Sequence, residues 1–306
     1  MIHTITLNPS IDLTVRVNRL QHGEAHQLAE PLEDAGGKGM NVARALHQLG
    51  VPVTSWAFLG GVRGKRWLDL AGREDIPIEV VELAGETRQN IKIFEEAQRH
   101  QTDLNFAGLE FEEKACAEFL ERLRRKLQPG DTVILAGITL RGIPFSWWSD
   151  LSGVVQSSDS KLIVDMAGPG LIQVAKCNPF LVKINREEFN DWYGLSMVSL
   201  NEVFVALQNR ESIQSHLVVT DRAAGALLWT TKRRFFRVGA LKVEVEGTVG
   251  AGDAFLAGWI AAWQEKEGDW ENAMRWGIAA SAAAVELPGT RFGTRDRVIE
   301  LVKRVG

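Results

Sequence analysis

Short apolar runs alternate with longer amphipathic segments along most of the chain, and this alternation constrains the fold more than any other feature. The runs predict strands over 4–7, 53–58, 132–135, 162–164, 181–184, 217–219 and 226–229. The periodic segments predict helices over 40–48, 112–127, 199–208, 254–265, 270–284 and 294–304. Continuous Val, Ile and Leu runs are typical of strands buried on both faces. The sequence therefore predicts an α/β fold with a mostly parallel central sheet between two layers of helices.

Two segments, about 12–33 and 87–106, break this pattern because they alternate like strands with no helix between them. Leu13, Val15 and Val17 mark the first segment, and Ile91 and Ile93 mark the second. We expect them to form a small second sheet, which could close over a site or pair with a copy of itself in a dimer. Two surface hairpins without a role are the alternative.

Composition limits the possible partners. The 306 residues include 35 Lys+Arg and 39 Asp+Glu, a formal net charge of −4, which argues against nucleic acid as a partner. No uncharged apolar run approaches the ~18 residues of a membrane span, and the first residues do not resemble a signal peptide. Cys116 and Cys177 lie far apart, which argues against a disulfide framework or a zinc site. We therefore expect a cytoplasmic protein with no membrane partner.

A glycine-rich turn over 247–252 opens directly into the apolar segment that begins at Ala254. Such a turn frees backbone N–H groups at a helix N-terminus, where the helix dipole favours negative charge. Asp253 would lie at the mouth of this anion site and could take a proton from an acceptor hydroxyl during phosphoryl transfer. An aspartate that caps the helix is the structural alternative. The chain has no Walker A loop, because its Gly-Lys pairs are followed by Gly39 and Arg66 instead of Ser or Thr. The run is not a dinucleotide fingerprint either, because Phe255 stands where the third glycine belongs.

A second glycine-rich run over 36–39 precedes the helix predicted from Met40. Its backbone could approach a ligand closely, and the Lys38 ammonium and Asn41 amide add polar donors. This combination suits a polyhydroxylated ligand. A tight turn with a solvated Lys38 is the alternative.

Polar side chains also follow the first predicted strand and occupy the second sheet-forming segment. Asp12 could accept two sugar hydroxyl bonds, or cap an ordinary Asn-Pro turn. Arg88 and Asn90 share one face of a predicted strand, with Lys92 beyond them, and an arginine fork there would suit a ligand phosphate. Solvated side chains are the alternative for this group.

Asn185 and Glu188 follow the strand predicted to end at Ile184, and Lys183 precedes them. An amide and a carboxylate three residues apart share one helix face and could hold Mg²⁺ through water. The same spacing is that of a helix capping box, which the spacing alone favours.

These motifs occur together in an order that resembles the ribokinase-like (PfkB) sugar kinases over nearly the whole chain. The runs GGKGMNVARAL and TVGAGDAF are similar to that family's two signatures, with NPSID before them and NREE between them. The resemblance implies a three-layer α/β/α ribokinase-like domain over 1–306, with a small β-sheet lid formed by segments 12–33 and 87–106. Within the family, the runs over 85–90, 102–108 and 181–188 are most similar to 1-phosphofructokinases, and tagatose-6-phosphate kinases come next.

Matching positions in this sequence imply a role for each motif residue. Asp253 would be the catalytic base, beside an anion hole formed by Gly250, Ala251 and Gly252. The sugar hydroxyls would be held by Asp12, Gly37 and Asn41, and the substrate's phosphate by Lys38, Arg88 and Asn90. The nucleotide phosphates and a water-bound Mg²⁺ would be held by Lys183, Asn185 and Glu188. The adenosine would be bordered by Thr220, Gly225 and the region around Ser281.

The sequence departs from the family pattern at several positions. Ile138 replaces a small hydroxyl residue near the substrate, and Arg141 is new in the same loop. Ile184 replaces a proline, and Arg222, after Asp221, replaces a glycine. The basic residue often found near position 27 is Gln27.

The resemblance implies ATP-dependent phosphorylation of a phosphorylated ketohexose, with D-fructose 1-phosphate going to D-fructose 1,6-bisphosphate as the first expectation. Tagatose 6-phosphate or fructose 6-phosphate comes second, and an unphosphorylated sugar or nucleoside third. A non-catalytic sugar-phosphate sensor on the same fold is an alternative of another class. A nicotinamide dehydrogenase is disfavoured by the missing fingerprint. The lid edges also suggest a homodimer.

Overall fold

The structure is a computed structural model that describes residues 1–98, 100–210, 213–287, 289 and 291–306. Its strands and helices follow one another as β1 (Ile2–Thr6), β2 (Ser10–Val17), β3 (Leu32–Gly36), α1 (Lys38–Gln48), β4 (Val53–Leu59), α2 (Gly61–Ala71), β5 (Ile78–Glu82), β6 (Arg88–Glu95), β7 (His100–Leu104), α3 (Glu113–Lys126), β8 (Thr132–Gly137), α4 (Phe145–Ser157), β9 (Lys161–Met166), α5 (Gly168–Ala175), β10 (Leu181–Asn185), α6 (Arg186–Tyr193), α7 (Leu200–Gln208), β11 (His216–Thr220), β12 (Ala226–Trp229), β13 (Phe235–Val238), α8 (Ala251–Glu265), α9 (Trp270–Val285) and α10 (Arg295–Val302).

The larger sheet has the strand order β13-β12-β11-β10-β9-β8-β1-β4-β5 within the described residues. Neighbouring strands are parallel from β11 through to β5, and β12 and β13 are added antiparallel at one edge. Helices α1, α2, α8, α9 and α10 cover one face with one apolar cluster, and α3 to α7 cover the other face with a second. The predicted three-layer α/β/α arrangement with a mostly parallel central sheet is confirmed.

The smaller sheet has the order β3-β2-β6-β7 in the part of the chain that the structure describes. Strands β2 and β6 run parallel, with Leu13 opposite Ile91 and Val15 opposite Ile93. The alternating apolar residues that predicted this sheet are therefore partners across it, and the predicted small sheet is confirmed. Residue 99, inside the predicted segment 87–106, lies outside the described residues.

Several boundaries differ from those predicted. β1 ends at Thr6, so Leu7 lies beyond it, and α8 begins at Ala251, three residues earlier than expected. The segment 12–33 is a strand only at its ends, because residues 18–31 join β2 to β3 without regular structure. The pattern also missed α2, α4, α5, α6, β5 and β13. Helices α2 and α5 begin with glycine or proline, which normally indicate a turn. The segment around β13 is rich in basic residues, so it lacks the apolar alternation of a strand.

The carboxyl ends of β1, β8, β9, β10 and β11 meet at one edge of the larger sheet, since these strands are parallel neighbours. In open α/β sheets, ligands bind in the crevice beyond this edge. Of the predicted site residues, Lys183, Asn185 and Thr220 lie at this end of β10 and β11, and Gly225 lies in the turn after β11. No helix in the described ranges is both long and apolar enough to cross a membrane.

Candidate active site

Asp253 lies in the first turn of α8 and is 5% exposed. The helix is capped by Gly250, whose φ of 78° is in the left-handed region that favours glycine, and no side-chain hydrogen bond caps the helix. The capping alternative for Asp253 is therefore wrong. A first helical turn leaves its N–H groups without intrahelical partners, so the turn over 250–252 presents donors beside a buried carboxylate.

Asn41 brings a second helix to this carboxylate. Its Nδ2 donates to Asp253 Oδ2 at 2.9 Å, which ties α1 to the start of α8. Burial raises the pKa of Asp253 to about 6, while nearby Lys38 and Lys183 act in the opposite direction. A carboxylate with a pKa close to neutral pH, hydrogen-bonded at the edge of a crevice, is suited to proton transfer.

Lys38 and Lys183 converge on Asp165, at the carboxyl end of β9. Lys38 Nζ lies 3.2 Å from Asp165 Oδ1, and Lys183 Nζ lies 2.8 Å from Asp165 Oδ2. Asp165 is fully buried, and Lys183 is 4% exposed. Burial alone would raise the pKa of Asp165, but the two ammonium groups outweigh it and hold the pKa below its usual value. Two cations thus pair with one buried carboxylate in this network, the buried Lys183 and Lys38, whose side chain is 37% exposed.

Lys183 approaches Gly252 closely. A Cβ on Gly252 would lie 2.9 Å from Lys183 Nζ, closer than real Cβ contacts come. The absence of a side chain therefore lets the Lys183 ammonium lie against the first turn of α8. A phosphoryl group at this turn would meet both backbone N–H groups and this ammonium.

Asn185 and Glu188 form the capping box that their spacing favours. The Asn185 side chain accepts from Glu188 N, and Glu188 Oε2 accepts from Asn185 N, both at 2.8 Å. Glu188 Oε1 lies 3.8 Å from Lys38 Nζ and faces the same cluster. Among the residues that the structure describes, no group of three or more His, Cys, Asp or Glu side chains could hold a metal directly. One carboxylate with water and phosphate ligands is nevertheless the usual setting of Mg²⁺, so these residues fit that ion.

Asp12 lies within β2 at the base of the smaller sheet and is hydrogen-bonded on both oxygens. Ser10 Oγ and Asn90 Nδ2 donate to Oδ1 at 2.7 and 3.1 Å, and Lys92 Nζ pairs with Oδ2 at 2.8 Å. A Cβ on Gly36 would lie 2.4 Å from Asp12 Oδ2, so only glycine fits beneath it. The alternative that Asp12 caps a turn is wrong, because Asp12 is an interior strand residue.

Arg88 is 9% exposed and binds backbone oxygens instead of solvent. Its Nη2 donates to the Asn8 carbonyl at 3.1 Å, and its Nη1 donates to the Phe106 carbonyl at 3.4 Å. Phe106 N in turn donates to Asn90 Oδ1 at 3.2 Å. Arg88 and Asn90 thus share one neighbourhood, whereas Lys38 contacts the Asp165 network. The three residues predicted to hold one phosphate contact different partners in this structure.

The glycine run before α1 is shaped by the end of β1. Gly37 has a φ of 129°, and a Cβ there would lie 2.5 Å from Thr6 Cγ2. A Cβ on Gly39 would meet Thr6 Oγ1 at 2.4 Å. The close approach of this run to β1 places Lys38 and Asn41 at the strand-end edge.

The residues predicted to border adenosine lie at the end of β11, in the turn after it, or on α9. Thr220 ends β11 and is paired in register with Asn185 of β10. Gly225 has a φ of 90°, and a Cβ there would lie 2.1 Å from the Val238 carbonyl oxygen. The backbone conformation and this close contact are sufficient reason for glycine at this position. Ser281 is half-buried on α9, which packs along α8.

The two unusual residues of the 136–142 loop lie outside this network. Ile138 directly follows β8, and its apolar side chain is 43% exposed. Its neighbour Gly137 lies close to Lys38, since a Cβ on Gly137 would be 3.5 Å from Lys38 Cβ. Arg141 pairs with Glu110 at 3.0 Å in an exposed ion pair. A cavity of about 1360 Å³ lies between the smaller sheet and the loop before Gly250, with Thr14 and Lys92 among its lining residues.

Sequence reasoning missed Asp165, Asn8 and Ser10 as members of the site, and it gave Lys92 no role. Asp165 directly follows the predicted strand 162–164, so a rule that polar residues ending parallel strands converge would have found it. Lys92 reaches Asp12 because β2 and β6 pair in parallel, which the chain order did not reveal, whereas Ser10 shares a face of β2 with Asp12.

A glycine turn, a buried carboxylate with a pKa near neutral, and two lysines that share the Asp165 carboxylate occur together in this α/β fold. A family model described as pfkB family carbohydrate kinase matches residues 5–297. This chain belongs to that family and is a sugar-phosphate kinase.

Relatives with known names are similar over the whole chain. A 1-phosphofructokinase of Vibrio cholerae is 30% identical over 302 residues, covering 99% of this chain and 95% of the relative. A 1-phosphofructokinase of Bacillus subtilis is 29% identical over 306 residues, covering 100% and 98%. The solved structure of phosphofructokinase-2 from Escherichia coli in complex with potassium has a TM-score of 0.91 and 26% identity, covering 99% of this chain and 98% of that chain.

Proposed function

We propose that this chain transfers the γ-phosphoryl group of ATP to D-fructose 1-phosphate, giving D-fructose 1,6-bisphosphate and ADP. The observation that carries the proposal is the buried Asp253 carboxylate beside the glycine turn of α8, with Lys183 against the same turn. The 1-phosphofructokinase relatives support the choice of acceptor. A phosphofructokinase-2 structure in complex with fructose-6-phosphate, 25% identical with a TM-score of 0.89, makes fructose 6-phosphate the second candidate. Tagatose 6-phosphate is a further one.

The proposed step is an in-line displacement at the γ-phosphorus. The acceptor oxygen forms a bond to phosphorus while the bond from phosphorus to the β–γ bridging oxygen breaks, and ADP leaves with that oxygen. Asp253 takes the acceptor's proton as its oxygen gains the phosphoryl group. The N–H groups of Gly250, Ala251 and Gly252 and the Lys183 ammonium stabilise charge on the transferred group.

Mg²⁺ belongs to the proposal because Glu188 and Asn185 fit its water-mediated coordination. When bound, the ion would neutralise charge on the nucleotide phosphates. Asn185 and Glu188 would hold it through water, and Lys183 would contact the phosphates directly. Thr220, Gly225 and Ser281 would border the adenosine.

On the acceptor side, we propose that Asp12, Gly37 and Asn41 bind sugar hydroxyls. Arg88 and Asn90 would hold the acceptor's phosphate, which requires Arg88 to exchange its carbonyl partners for phosphate oxygens. Lys38, 3.2 Å from Asp165, would reach the same phosphate only by leaving that carboxylate. We further propose that 1–306 acts as one kinase domain, with segments 12–33 and 87–106 as its lid, in the cytoplasm.

A coupled assay of ADP release with a panel of acceptors tests the choice of substrate. We expect the highest kcat/KM with fructose 1-phosphate, followed by fructose 6-phosphate or tagatose 6-phosphate. A clear preference for either of these, or for an unphosphorylated sugar, would overturn the choice of fructose 1-phosphate. Binding of phosphosugars without turnover would favour a non-catalytic sugar-phosphate sensor. That alternative is suggested by Ile138 and Arg222, which depart from the family pattern.

Replacing Arg88 with alanine should raise KM for the phosphosugar at least tenfold and leave KM for ATP within about twofold, because a charged bond to phosphate is lost only on the acceptor side. Steady-state kinetics with each substrate varied in turn measure both values. Arg88→Lys is the matched control, since it keeps the charge and should lose less. Equal rises in both KM values would count against a phosphate role.

Activity should depend on the protonation of Asp253. Since burial raises its pKa to about 6, kcat/KM should fall about tenfold for each pH unit below that value, where the base is protonated. Measuring kcat/KM for the phosphosugar between pH 5 and 8, at saturating ATP and with a pH-stable coupling system, tests this fall in activity. A profile that stays flat down to pH 5 would contradict the assignment of Asp253 as the base.

The smaller sheet has free strand edges at β3 and β7, and we propose that it pairs with a copy of itself in a homodimer. A solved tetrameric form of phosphofructokinase-2 from Escherichia coli shows that a relative of this fold forms oligomers. Light scattering should give about twice the mass of 33.9 kDa at micromolar concentration. A monomer at that concentration would refute the dimer.

A further inference from the structure

Arg222 has a φ of 45°, in the left-handed region, although it is a long L-residue. Glycine adopts this conformation freely, whereas the Cβ of other residues crowds the backbone there. Arg222 begins the 3₁₀ turn Arg222–Ala224 that joins β11 to β12. An unfavourable backbone conformation at a crevice edge directs attention to the use of its side chain.

The turn lies at the same sheet edge as the proposed nucleotide site. Thr220 is the last residue of β11 and pairs in register with Asn185, so the two backbones are about 4.8 Å apart. Lys183, two residues before Asn185, reaches the first turn of α8. Lys183 lies at the proposed phosphoryl site, and Thr220 ends the neighbouring strand β11. Arg222 follows Thr220 in the next turn, so it lies further out along the same sheet edge.

Charged neighbours fix the turn but leave the Arg222 guanidinium exchangeable. Arg186 Nε lies 3.0 Å from Asp221 Oδ2, and both side chains are less than one-fifth exposed. Arg222 Nη2 lies 3.2 Å from Glu187 Oε1, and its side chain is 83% exposed. An exposed ion pair is weak, and a guanidinium binds phosphate oxygens in a stronger, bidentate manner. A polyphosphate at this edge could therefore take the guanidinium from Glu187.

We propose that Arg222 binds the phosphate chain of the nucleoside triphosphate, and that Glu187 holds its guanidinium when no nucleotide is bound. The inference rests on the proposed kinase function and adds one nucleotide-binding residue to it. A phosphate contact predicts that the effect of Arg222 grows with the number of phosphates on the ligand. It also predicts that nucleotide binding and stability respond in opposite directions when the side chain is removed.

The test compares Arg222→Gly with Arg233→Gly. Arg233 is the matched control because it also has a left-handed φ, 57°, but lies between β12 and β13 and donates to the Gln208 carbonyl. Calorimetric titration with ATP and Mg²⁺, and separately with adenosine, measures binding, and thermal unfolding measures stability. We expect Arg222→Gly to weaken the binding of ATP about three- to tenfold and to leave the affinity for adenosine unchanged. Its Tm should equal or exceed that of the wild type. Arg222→Lys should retain part of the ATP affinity that Arg222→Gly loses. Arg233→Gly should leave the affinities for ATP and for adenosine unchanged.

Two results with the Arg222→Gly variant would overturn the inference alone. One is ATP binding by Arg222→Gly as tight as that of the wild type. The other is an equal loss of ATP and adenosine affinity, which would indicate a change in the backbone of the site. A wild-type protein that does not bind ATP would overturn both this inference and the proposed function. Normal ATP binding by the wild type, with no change in Arg222→Gly, would overturn the inference alone.

Discussion

Replacing Asp253 with asparagine should lower kcat by about 10²–10⁴-fold, the usual contribution of a positioned general base. Asparagine has the same shape and can still accept from Asn41 Nδ2, so the hydrogen bond of 2.9 Å between α1 and α8 has a replacement. It cannot take a proton from the acceptor hydroxyl. The fold should therefore persist while the chemical step is lost, and KM for both substrates should change little.

Steady-state kinetics measure the loss, and thermal unfolding shows whether the fold persists. Asn41→Asp is an informative companion, because it places a second carboxylate against Asp253 and should raise the base's pKa and shift the acid limb of the pH profile upward. Retention of most of the wild-type kcat by a folded Asp253→Asn protein would remove Asp253 from the role of base.

Replacing Asp165 with asparagine should lower the free energy of unfolding by about 3 kcal/mol, within the range measured when one partner of a buried ion pair is removed. Asp165 is fully buried and pairs with Lys183 at 2.8 Å and with Lys38 at 3.2 Å. Without its charge, the buried Lys183 ammonium has no carboxylate at hydrogen-bond distance among the residues that the structure describes. Desolvation of that cation is then uncompensated.

Denaturant unfolding at neutral pH measures this change. Glu110→Gln is the matched control, since it also neutralises an ion-paired carboxylate, but one whose side chain is 72% exposed, and it should cost less than about 1 kcal/mol. If Asp165→Asn does not fold, the double variant Asp165→Asn/Lys183→Met should recover folded protein, because it removes the stranded ammonium. A single variant as stable as the wild type would contradict the Asp165 network.

The fold could be predicted largely because its strands are buried on both faces. Runs such as 133–135 and 217–219 are continuous in Val, Ile and Leu, and each lies inside a strand of the larger sheet. Helices that begin with glycine or proline, such as α2 and α5, could not be found by periodicity, because their positions are set by packing against the sheet.

The candidate site was predictable where one short segment carries several of its residues. The four residues 250–253 are contiguous, and the structure keeps them together at the start of α8. Asp165 was missed because its importance comes from Lys38 and Lys183, which are distant in sequence and meet it only through strand order. The separation of Arg88 from Lys38 could not be foreseen either, because it depends on how the smaller sheet joins the larger one.

The most direct test of the central claim follows the phosphoryl group itself. Wild-type protein is incubated with ATP labelled in its γ-phosphate, Mg²⁺ and fructose 1-phosphate, and the products are separated and identified. We expect labelled fructose 1,6-bisphosphate and ADP in equal amounts. Release of ADP without labelled bisphosphate, or no turnover at all, would contradict the proposal that this site phosphorylates fructose 1-phosphate.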